Sequence, residues 1–204
     1  TKNITTGDGG MVTTDNEDFI RRMEILSFHG ISSDAWQRYS PSGKDSYEMV
    51  DIGYKYNMTD IQAAIGIHQL KKLDNFIKIK DKYAGIYNEY LSKIPEIMVQ
   101  RVDGSIKHAR HLYPILLNLY MLKTDRKGFI DAMKAENIGC GIHFIALHMQ
   151  EYYRNRFNFK KEELPNASYI SDRIVSLPIY SRMVENDIFD VIHAVKKVIN
   201  HYRN

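Results

Sequence analysis

Apolar residues recur every three or four positions along three stretches of the chain, and this spacing predicts three long helices. The first covers residues 16–30, where Asp15 or Asn16 can cap the start and Gly30 can take the left-handed conformation that ends a helix. The last covers residues 188–202 and presents one regular apolar face. Such a face is typical of a helix that docks on a sheet.

The middle helix is the longest of the three. It begins after Thr59, whose hydroxyl can cap it, and it ends before Pro95. Its apolar positions nearly encircle residues 60–73, so we expect this part to be buried on most sides. Farther along, the apolar residues keep their helical steps, with one step missed at Lys80.

Shorter runs of strand-forming residues lie between these helices. Strands are predicted over residues 9–14, 111–119 and 138–144, and in a short segment stopped by Pro178. Pro114 lacks a backbone donor, which favours an edge position or a bulge for its strand. Helical periodicity also covers residues 125–137. Together these elements predict an α/β fold whose second half is a compact α+β unit.

Composition and charge narrow the class of protein. The 28 basic and 25 acidic side chains leave a net charge of only +3, so nothing calls for a nucleic-acid partner. The single cysteine, Cys140, cannot form an internal disulfide, which suits a reducing compartment. No apolar run approaches the roughly 20 residues that a membrane span needs. We therefore expect a cytoplasmic protein.

Five motifs carry a resemblance to a known family. They are TKNITTGDGGMVTTD, HGISSDAWQRY, GYKYNMTDIQAAIGIHQLKKLD, GIHF and SLPIY, in this order along the chain. At these separations they resemble the C-terminal part of the DegT/StrS family of pyridoxal-phosphate-dependent sugar aminotransferases. The nearest likeness is to members that aminate C4 of a nucleotide-linked keto sugar. The resemblance implies the C-terminal portion of a fold-type I transferase.

The resemblance also implies a domain organisation. Residues 1–72 correspond to the C-terminal remnant of the large cofactor-binding domain, residues 73–95 to a long connecting helix, and residues 96–204 to the small α+β domain. Family members are nearly twice as long, and the N-terminal half of the large domain holds most of the cofactor pocket. We therefore expect the isolated 204-residue chain to bind the cofactor weakly or not at all.

Lys2 is the candidate catalytic residue. The resemblance implies that it holds pyridoxal phosphate as an internal aldimine and then moves a proton between the amino acid and the cofactor. A lysine amine suits this chemistry because it attacks an aldehyde once it is unprotonated, which an arginine cannot be. Gly7, Gly9 and Gly10 would let the backbone turn beside the ring. Asp8 replaces the glutamate that is usual in this family motif.

Asn57 is the second candidate for cofactor binding. In members with this motif the asparagine reaches across a homodimer to the phosphate of the partner's cofactor, so the resemblance implies a homodimer. Asn57 also precedes the Thr59 cap and could simply shape that turn. Trp36, Lys55 and Tyr56 fall where family loops approach the substrate, although exposed aromatics also pack against partner subunits.

A pair of histidines marks a third candidate segment. The resemblance places His143 and Phe144 over the cofactor and in contact with the nucleotide-linked sugar. His148, close behind them in the chain, is a further candidate for substrate contact. Metal binding is the alternative, since His108 and His111 add two imidazoles. No recognisable ligand spacing completes such a site, so we predict that no metal binds.

Two further hypotheses stay open beside the aminotransferase, for which glutamate and 2-oxoglutarate would be the amino donor and its product. The chain could be a non-catalytic module that keeps the fold for association. It could also be a relative of the family's sugar dehydratases, which carry histidine in place of the aldimine lysine. Lys2 argues against that second hypothesis.

Overall fold

The computed structural model describes residues 2–32 and 47–204. It divides into two compact units: a smaller unit, Ile4–Lys71, and a larger unit, Thr1–Asn3 together with Lys72–Asn204. The boundary at Lys71 falls within the longest helix. The three predicted domains stay a prediction, because a division by contacts does not identify remnants of a larger domain.

Helix α1 (Glu17–Ser27) lies in the smaller unit and begins and ends where the sequence predicts. The side-chain oxygen of Asn16 accepts hydrogen bonds from two backbone N–H groups of the first turn, at 2.9 and 3.1 Å. Gly30 follows with φ of 71°, and its N–H donates to the Ile25 carbonyl at 2.9 Å. Both predicted boundaries are confirmed.

Residues 9–14 form no strand, so the prediction of one there is wrong. In the described part of the chain no neighbouring strand pairs with them, and Met11 and Val12 are exposed. Strand-forming residues make a strand only where a ladder supplies partners for the backbone groups. Their composition alone could not reveal that no partner is present.

Helix α2 (Asp60–Leu91) runs without interruption for 32 residues. Thr59 N–H donates to Gln62 Oε1 at 2.9 Å, and Gln62 N–H donates to Thr59 Oγ1 at 3.4 Å. This reciprocal pair is a capping box, which confirms Thr59 as the cap.

The expected burial of residues 60–73 is wrong. Ile61 exposes 76 % of its surface, and Ile67 and Leu70 are exposed as well. The described part of the smaller unit contains no buried hydrophobic side chain, so it offers no core to cover them. The buried face of α2 begins only at Lys80 and continues to Leu91.

A three-stranded antiparallel sheet lies at the centre of the larger unit, with the order β1-β2-β3. The strands are β1 (Ile97–Val99), β2 (Tyr113–Leu117) and β3 (Ile174–Leu177). The helices are α3 (Arg126–Ala135), α4 (Glu151–Phe157), α5 (Pro165–Arg173) and α6 (Glu185–Tyr202). Short 3₁₀ turns cover Leu119–Met121, Leu147–Met149 and Lys161–Glu163.

The core of the larger unit combines one face each of α2, α3 and α6 with the sheet. Phe129 and Met133 of α3, Val175 of β3 and Ile188 of α6 are fully buried in a single cluster with Tyr87 of α2. The apolar face of α6 is the predicted one, since five apolar residues spaced along it are buried. These residues are Ile188, Val191, Ile192, Val195 and Ile199.

Two strand predictions need correction. Pro114 lies in β2, which is the central strand rather than an edge strand. Strand β1 pairs with β2 only as far as Ile115, so the missing amide of Pro114 falls beyond the end of β1. Residues 138–144 contribute only an isolated bridge from Gly141 to Ser176 in place of the predicted strand.

An ion pair connects the beginning of the sheet with the end of the chain. Glu96 precedes β1 and exposes only 1 % of its surface. Arg203 follows α6, and its Nε and Nη2 donate to the two carboxylate oxygens of Glu96 at 2.5 and 3.2 Å. The hydrogen bond from Arg203 lowers the pKa of Glu96, against the opposing effect of burial.

Candidate active site

Lys2 lies in the larger unit, and its side chain is exposed. The next residue, Asn3, is held at both ends of its side-chain amide. Asn3 Nδ2 donates to the Ala109 carbonyl at 2.7 Å, and Asn3 Oδ1 accepts from Lys80 Nζ at 2.7 Å. The backbone beside Lys2 is therefore attached both to α2 and to the segment that precedes β2.

His111 lies within electrostatic reach of Lys2. Burial lowers the pKa of His111 most strongly, and the positive charges of Lys2, Lys80 and His143 lower this pKa further. Its Nε2 is buried and has no hydrogen-bond partner in residues 2–32 and 47–204. These positive charges make protonation of the His111 imidazole less favourable.

His143 and Phe144 occupy the loop that the resemblance singles out. Backbone hydrogen bonds join Gly141 to Ser176 of β3 at 2.8 and 3.0 Å, and His143 Nδ1 lies 2.9 Å from Ser176 Oγ. Phe144 exposes 71 % of its surface and packs edge-on against the His143 ring. The loop thus fixes the histidine on the sheet and leaves the phenylalanine exposed.

His148 occupies a different environment from His143. It exposes only 4 % of its surface, and its Nε2 lies 2.8 Å from Ser168 Oγ. The Ser168 hydroxyl donates its one proton to the Lys161 carbonyl at 2.7 Å, so His148 Nε2 is the donor in their contact. This histidine joins the 3₁₀ turn to α5.

The glycine-rich segment after Lys2 lies in the smaller unit. Gly7 has a φ of 82°, a conformation that glycine adopts without strain. The carbonyl of Asp8 accepts from Thr6 Oγ1 at 2.8 Å and from Gln62 Nε2 at 3.0 Å. The first turn of α2 therefore holds this loop, while the Asp8 carboxylate stays exposed.

The segment of Lys55, Tyr56 and Asn57 lies along the end of α1 in the same unit. Tyr56 N–H donates to the Ser27 carbonyl at 2.8 Å. Lys55 Nζ lies 4.4 Å from the centre of the Phe28 ring and donates to Asn57 Oδ1. Tyr56 is exposed and stacks on Tyr54 with the rings nearly parallel. Trp36 lies outside the described residues.

The described residues were also compared with the requirements of a metal site and of a membrane-spanning helix. The described residues contain no group of three or more His, Cys, Asp or Glu side chains that could hold a metal ion. In the same residues, no helix is long and apolar enough to cross a membrane.

The sequence patterns did not connect three residues with Lys2 that the structure places near it. Asn3 and Lys80 had no predicted role, and His111 appeared only in the metal alternative. Lys80 left one trace, the missed apolar step on α2. The contacts of Lys80 to Asn3 and His111 span 77 and 31 residues of sequence, which a local pattern does not reveal.

The fold is similar to those of sugar aminotransferases of known structure. Putative sugar aminotransferase Spr1654 from Streptococcus pneumoniae, in its PMP form, matches with a TM-score of 0.84 and 23 % identity, over 98 % of this chain and 51 % of that one. Helicobacter pylori PseC, an aminotransferase involved in the biosynthesis of pseudoaminic acid, matches with a TM-score of 0.83 and 22 % identity, over 98 % and 51 %. At these identities the likeness shows the fold.

Two curated relatives are more similar in sequence. MJ1066 of Methanocaldococcus jannaschii, an uncharacterized protein, is 50 % identical over 203 residues, which are 100 % of this chain and 53 % of the relative. Spore coat polysaccharide biosynthesis protein SpsC of Bacillus subtilis is 42 % identical over 200 residues, which are 98 % and 51 %. The chain spans about half the length of these relatives.

The fold is therefore α/β and is shared with these aminotransferase structures. The sequence model of the DegT/DnrJ/EryC1/StrS aminotransferase family matches residues 1–196, and the chain belongs to this family. The resemblance drawn from the five motifs is confirmed.

Proposed function

We propose that the protein carrying this chain transfers an amino group from glutamate to the C4 keto group of a nucleotide-linked sugar, with pyridoxal phosphate as its cofactor. The family match over residues 1–196, with exposed Lys2 at the start of the KNITTGDGG motif, is the observation that carries this proposal. The name of SpsC, a spore coat polysaccharide biosynthesis protein, supports a polysaccharide precursor as the product.

The residues around Lys2 fit a phosphate-bearing aldehyde. The Lys2 amine is exposed, and the ammonium of Lys80, which contacts the neighbouring Asn3, adds a positive charge nearby. Bound pyridoxal phosphate supplies an aldehyde for the amino group and a ring that accepts electrons from the broken C–H bond. In this proposal Lys2 Nζ would hold the aldehyde carbon of the cofactor until the amine of the amino donor takes its place there. The freed Lys2 amine would then move a proton between the donor's Cα and the cofactor.

Asn57 is proposed as a donor to the cofactor phosphate in the other subunit of a homodimer. Its Oδ1 accepts from Lys55, which turns the amide so that Nδ2 is free of partners in the described residues. A neutral amide donor beside a lysine charge suits a phosphate oxygen. Lys55 and exposed Tyr56 would then lie at the rim of the partner's site.

His143 is proposed to contact the nucleotide-linked sugar, with exposed Phe144 beside it. If the Ser176 hydroxyl donates to Nδ1, the proton of the neutral ring is on Nε2, which can donate to a sugar or phosphate oxygen. We do not extend this role to His148, because it is buried and its Nε2 proton is already bonded to Ser168.

The decisive experiment combines a covalent label with a transfer assay on the native protein. Pyridoxal phosphate followed by borohydride should modify Lys2, as read by peptide mass spectrometry. The transfer assay offers glutamate together with UDP-, GDP- and dTDP-linked 4-keto or 3-keto sugars. We expect 2-oxoglutarate to form when the sugar supplied is a 4-keto sugar. Lys2→Ala should abolish both results, and Lys78→Ala, on the exposed side of α2, should change neither. Transfer by Lys2→Ala would sink the proposal.

We further propose that residues 1–204 alone bind the cofactor weakly. The described part of the smaller unit has no buried hydrophobic core, which supports this expectation. Pyridoxal phosphate added to the purified 204-residue chain should give no strong visible band. A strong band that Lys2→Ala removes would contradict this part of the proposal.

A further inference from the structure

Lys80 occupies a position of α2 at which the helical spacing of the sequence predicts an apolar residue. It exposes 3 % of its surface and shares the buried face of the helix with Tyr83, Ala84 and Tyr87. Burial lowers the pKa of Lys80. None of the carboxylates in the described residues forms an ion pair with it, and its contacts are with uncharged oxygens.

An ammonium group buried without a counter-ion is costly, and a methionine or leucine would fill the same space without that cost. The polar contacts of Lys80 therefore distinguish it from an apolar residue. Its Nζ donates to Asn3 Oδ1 at 2.7 Å and to the His111 carbonyl at 3.2 Å. One charged group thus joins α2, the segment before β2 and the residue next to Lys2.

These contacts fix the orientation of the Asn3 amide. Because Oδ1 accepts from Lys80, Nδ2 points the other way and donates to the Ala109 carbonyl at 2.7 Å. Neither bond survives a flip of the amide, since a nitrogen would then face the ammonium. The Asn3 side chain is therefore held at both ends, and its backbone is held with it.

We propose that Lys80 is a positioning residue for Lys2: through Asn3, its ammonium fixes the backbone from which the Lys2 side chain projects. This inference rests on the proposed function of Lys2 as the residue that bonds pyridoxal phosphate. A fixed backbone position keeps a reacting lysine amine in the correct orientation. A displacement of about 1 Å is enough to slow a well-oriented reaction by roughly a hundredfold.

The first test needs no cofactor. Trypsin cleaves after Lys2, at the bond to Asn3, and native-state cleavage requires this segment to leave its fixed conformation. In the native protein without cofactor, Lys80→Met should speed cleavage at Lys2 by about tenfold, because it removes two hydrogen bonds from a charged donor. Cleavage within α3, at Arg126 and Lys134, reports general unfolding and should stay at the wild-type rate.

Two variants complete this test. Lys80→Arg keeps the charge and the donors, so its cleavage rate at Lys2 should stay within about threefold of wild type. Lys78→Met removes an exposed lysine two positions away on the same helix and should have no effect. The proposal is overturned if Lys80→Met leaves cleavage at Lys2 unchanged, or if it speeds cleavage in α3 equally.

The second test measures the consequence for the amine. Pyridoxal phosphate at a concentration that half-labels wild-type Lys2 after borohydride reduction should label Lys80→Met at least about fivefold less. Lys80→Arg should restore the label. Equal labelling of Lys80→Met and wild type overturns the inference. If the wild-type protein itself takes no label at Lys2, the proposed function fails, and the tryptic cleavage still decides whether Lys80 holds Asn3.

Discussion

His143 Nδ1 lies 2.9 Å from Ser176 Oγ, across the backbone bridge that joins Gly141 to the same serine. Ser176 belongs to β3 and is buried, so its hydroxyl is a fixed point. The histidine is therefore oriented by the sheet although it lies on a loop. An imidazole held in this way keeps Nε2 for a partner outside the loop.

This relationship predicts the effect of removing the hydroxyl. In the proposed transfer reaction, Ser176→Ala should raise the KM for the nucleotide-linked sugar by about two- to tenfold, the range expected for one neutral hydrogen bond, and leave the KM for glutamate unchanged. Steady-state kinetics with both substrates measure the two effects. The double variant with His143→Ala should be no worse than His143→Ala alone, since the serine acts through the histidine. Additive losses would contradict this account.

The Arg203–Glu96 pair predicts a pH-dependent contribution to stability. Arg203→Met leaves a buried carboxylate without its partner, and we expect it to lower the Tm at pH 7 by about 5 °C or more. The folded-state pKa of Glu96 lies below its unfolded value, so the stabilisation is complete above the unfolded pKa and is lost as the pH falls through the folded pKa.

Thermal unfolding of wild type and Arg203→Met between pH 7 and pH 3 checks this prediction. The difference in Tm between the two proteins should shrink as the pH falls below the ordinary glutamate pKa, about 4.3. Lys127→Met is the matched control, because it removes an exposed pair with Asp131 and should change the Tm little at any pH. A constant difference for Arg203→Met would show that the charge of Glu96 is not the cause.

The success of sequence-based prediction followed the range of the interactions. Asn16 and Gly30 were identified correctly because a cap and a left-handed stop depend on residues within one turn. Pro114 favoured an edge strand or a bulge, yet it lies in the central strand. The end of β1 decides where its missing donor falls, and β1 lies beyond the local sequence of Pro114. Lys80 interrupted an apolar stripe visibly, yet its partners Asn3 and His111 became known only from the structure.

The same limit applies to the prediction of the candidate site. The motifs made Lys2, Asn57 and His143 candidates through resemblance, which carries information that spacing alone lacks, and their roles stay predictions. They could not separate exposed Phe144 from buried His148, which lie only four positions apart in the chain. The packing of α5 against His148 makes the difference in burial, and that contact is not visible in the motif.

His111 predicts a second pH effect, at a higher pH than that of Glu96. Burial and the charges of Lys2, Lys80 and His143 place the folded-state pKa of His111 below its unfolded value. The unfolded chain therefore binds the proton first, and stability is complete above about pH 6.5 and falls as the pH drops through the folded pKa. His111→Gln should reduce the loss of Tm between pH 7.5 and pH 5.

The control for this effect is His201→Gln, which changes an exposed histidine in the last turn of α6. It should leave the wild-type slope of Tm against pH intact. If His111→Gln also keeps the wild-type slope, then His111 does not carry the pH dependence.

Gly30 predicts how the segment of Lys55 and Asn57 is held to α1. Its φ of 71° disfavours any residue with a side chain, and a Cβ there would lie 1.8 Å from the Asp51 carbonyl oxygen. That oxygen belongs to the backbone and cannot turn aside as a side chain could. Gly30→Ala should therefore separate residues 50–56 from the end of α1.

Hydrogen exchange at Tyr54 and Tyr56 measures this separation, because their N–H groups donate to the Leu26 and Ser27 carbonyls at 2.7 and 2.8 Å. We expect exchange at both amides to become about tenfold faster or more in Gly30→Ala. Gly85→Ala is the matched control: its Cβ would meet nothing within 4 Å, and alanine within α2 should add up to about 1 kcal/mol of stability. If Gly30→Ala leaves both amides protected, the segment that carries Asn57 is held by contacts other than the close approach of Gly30 to Asp51.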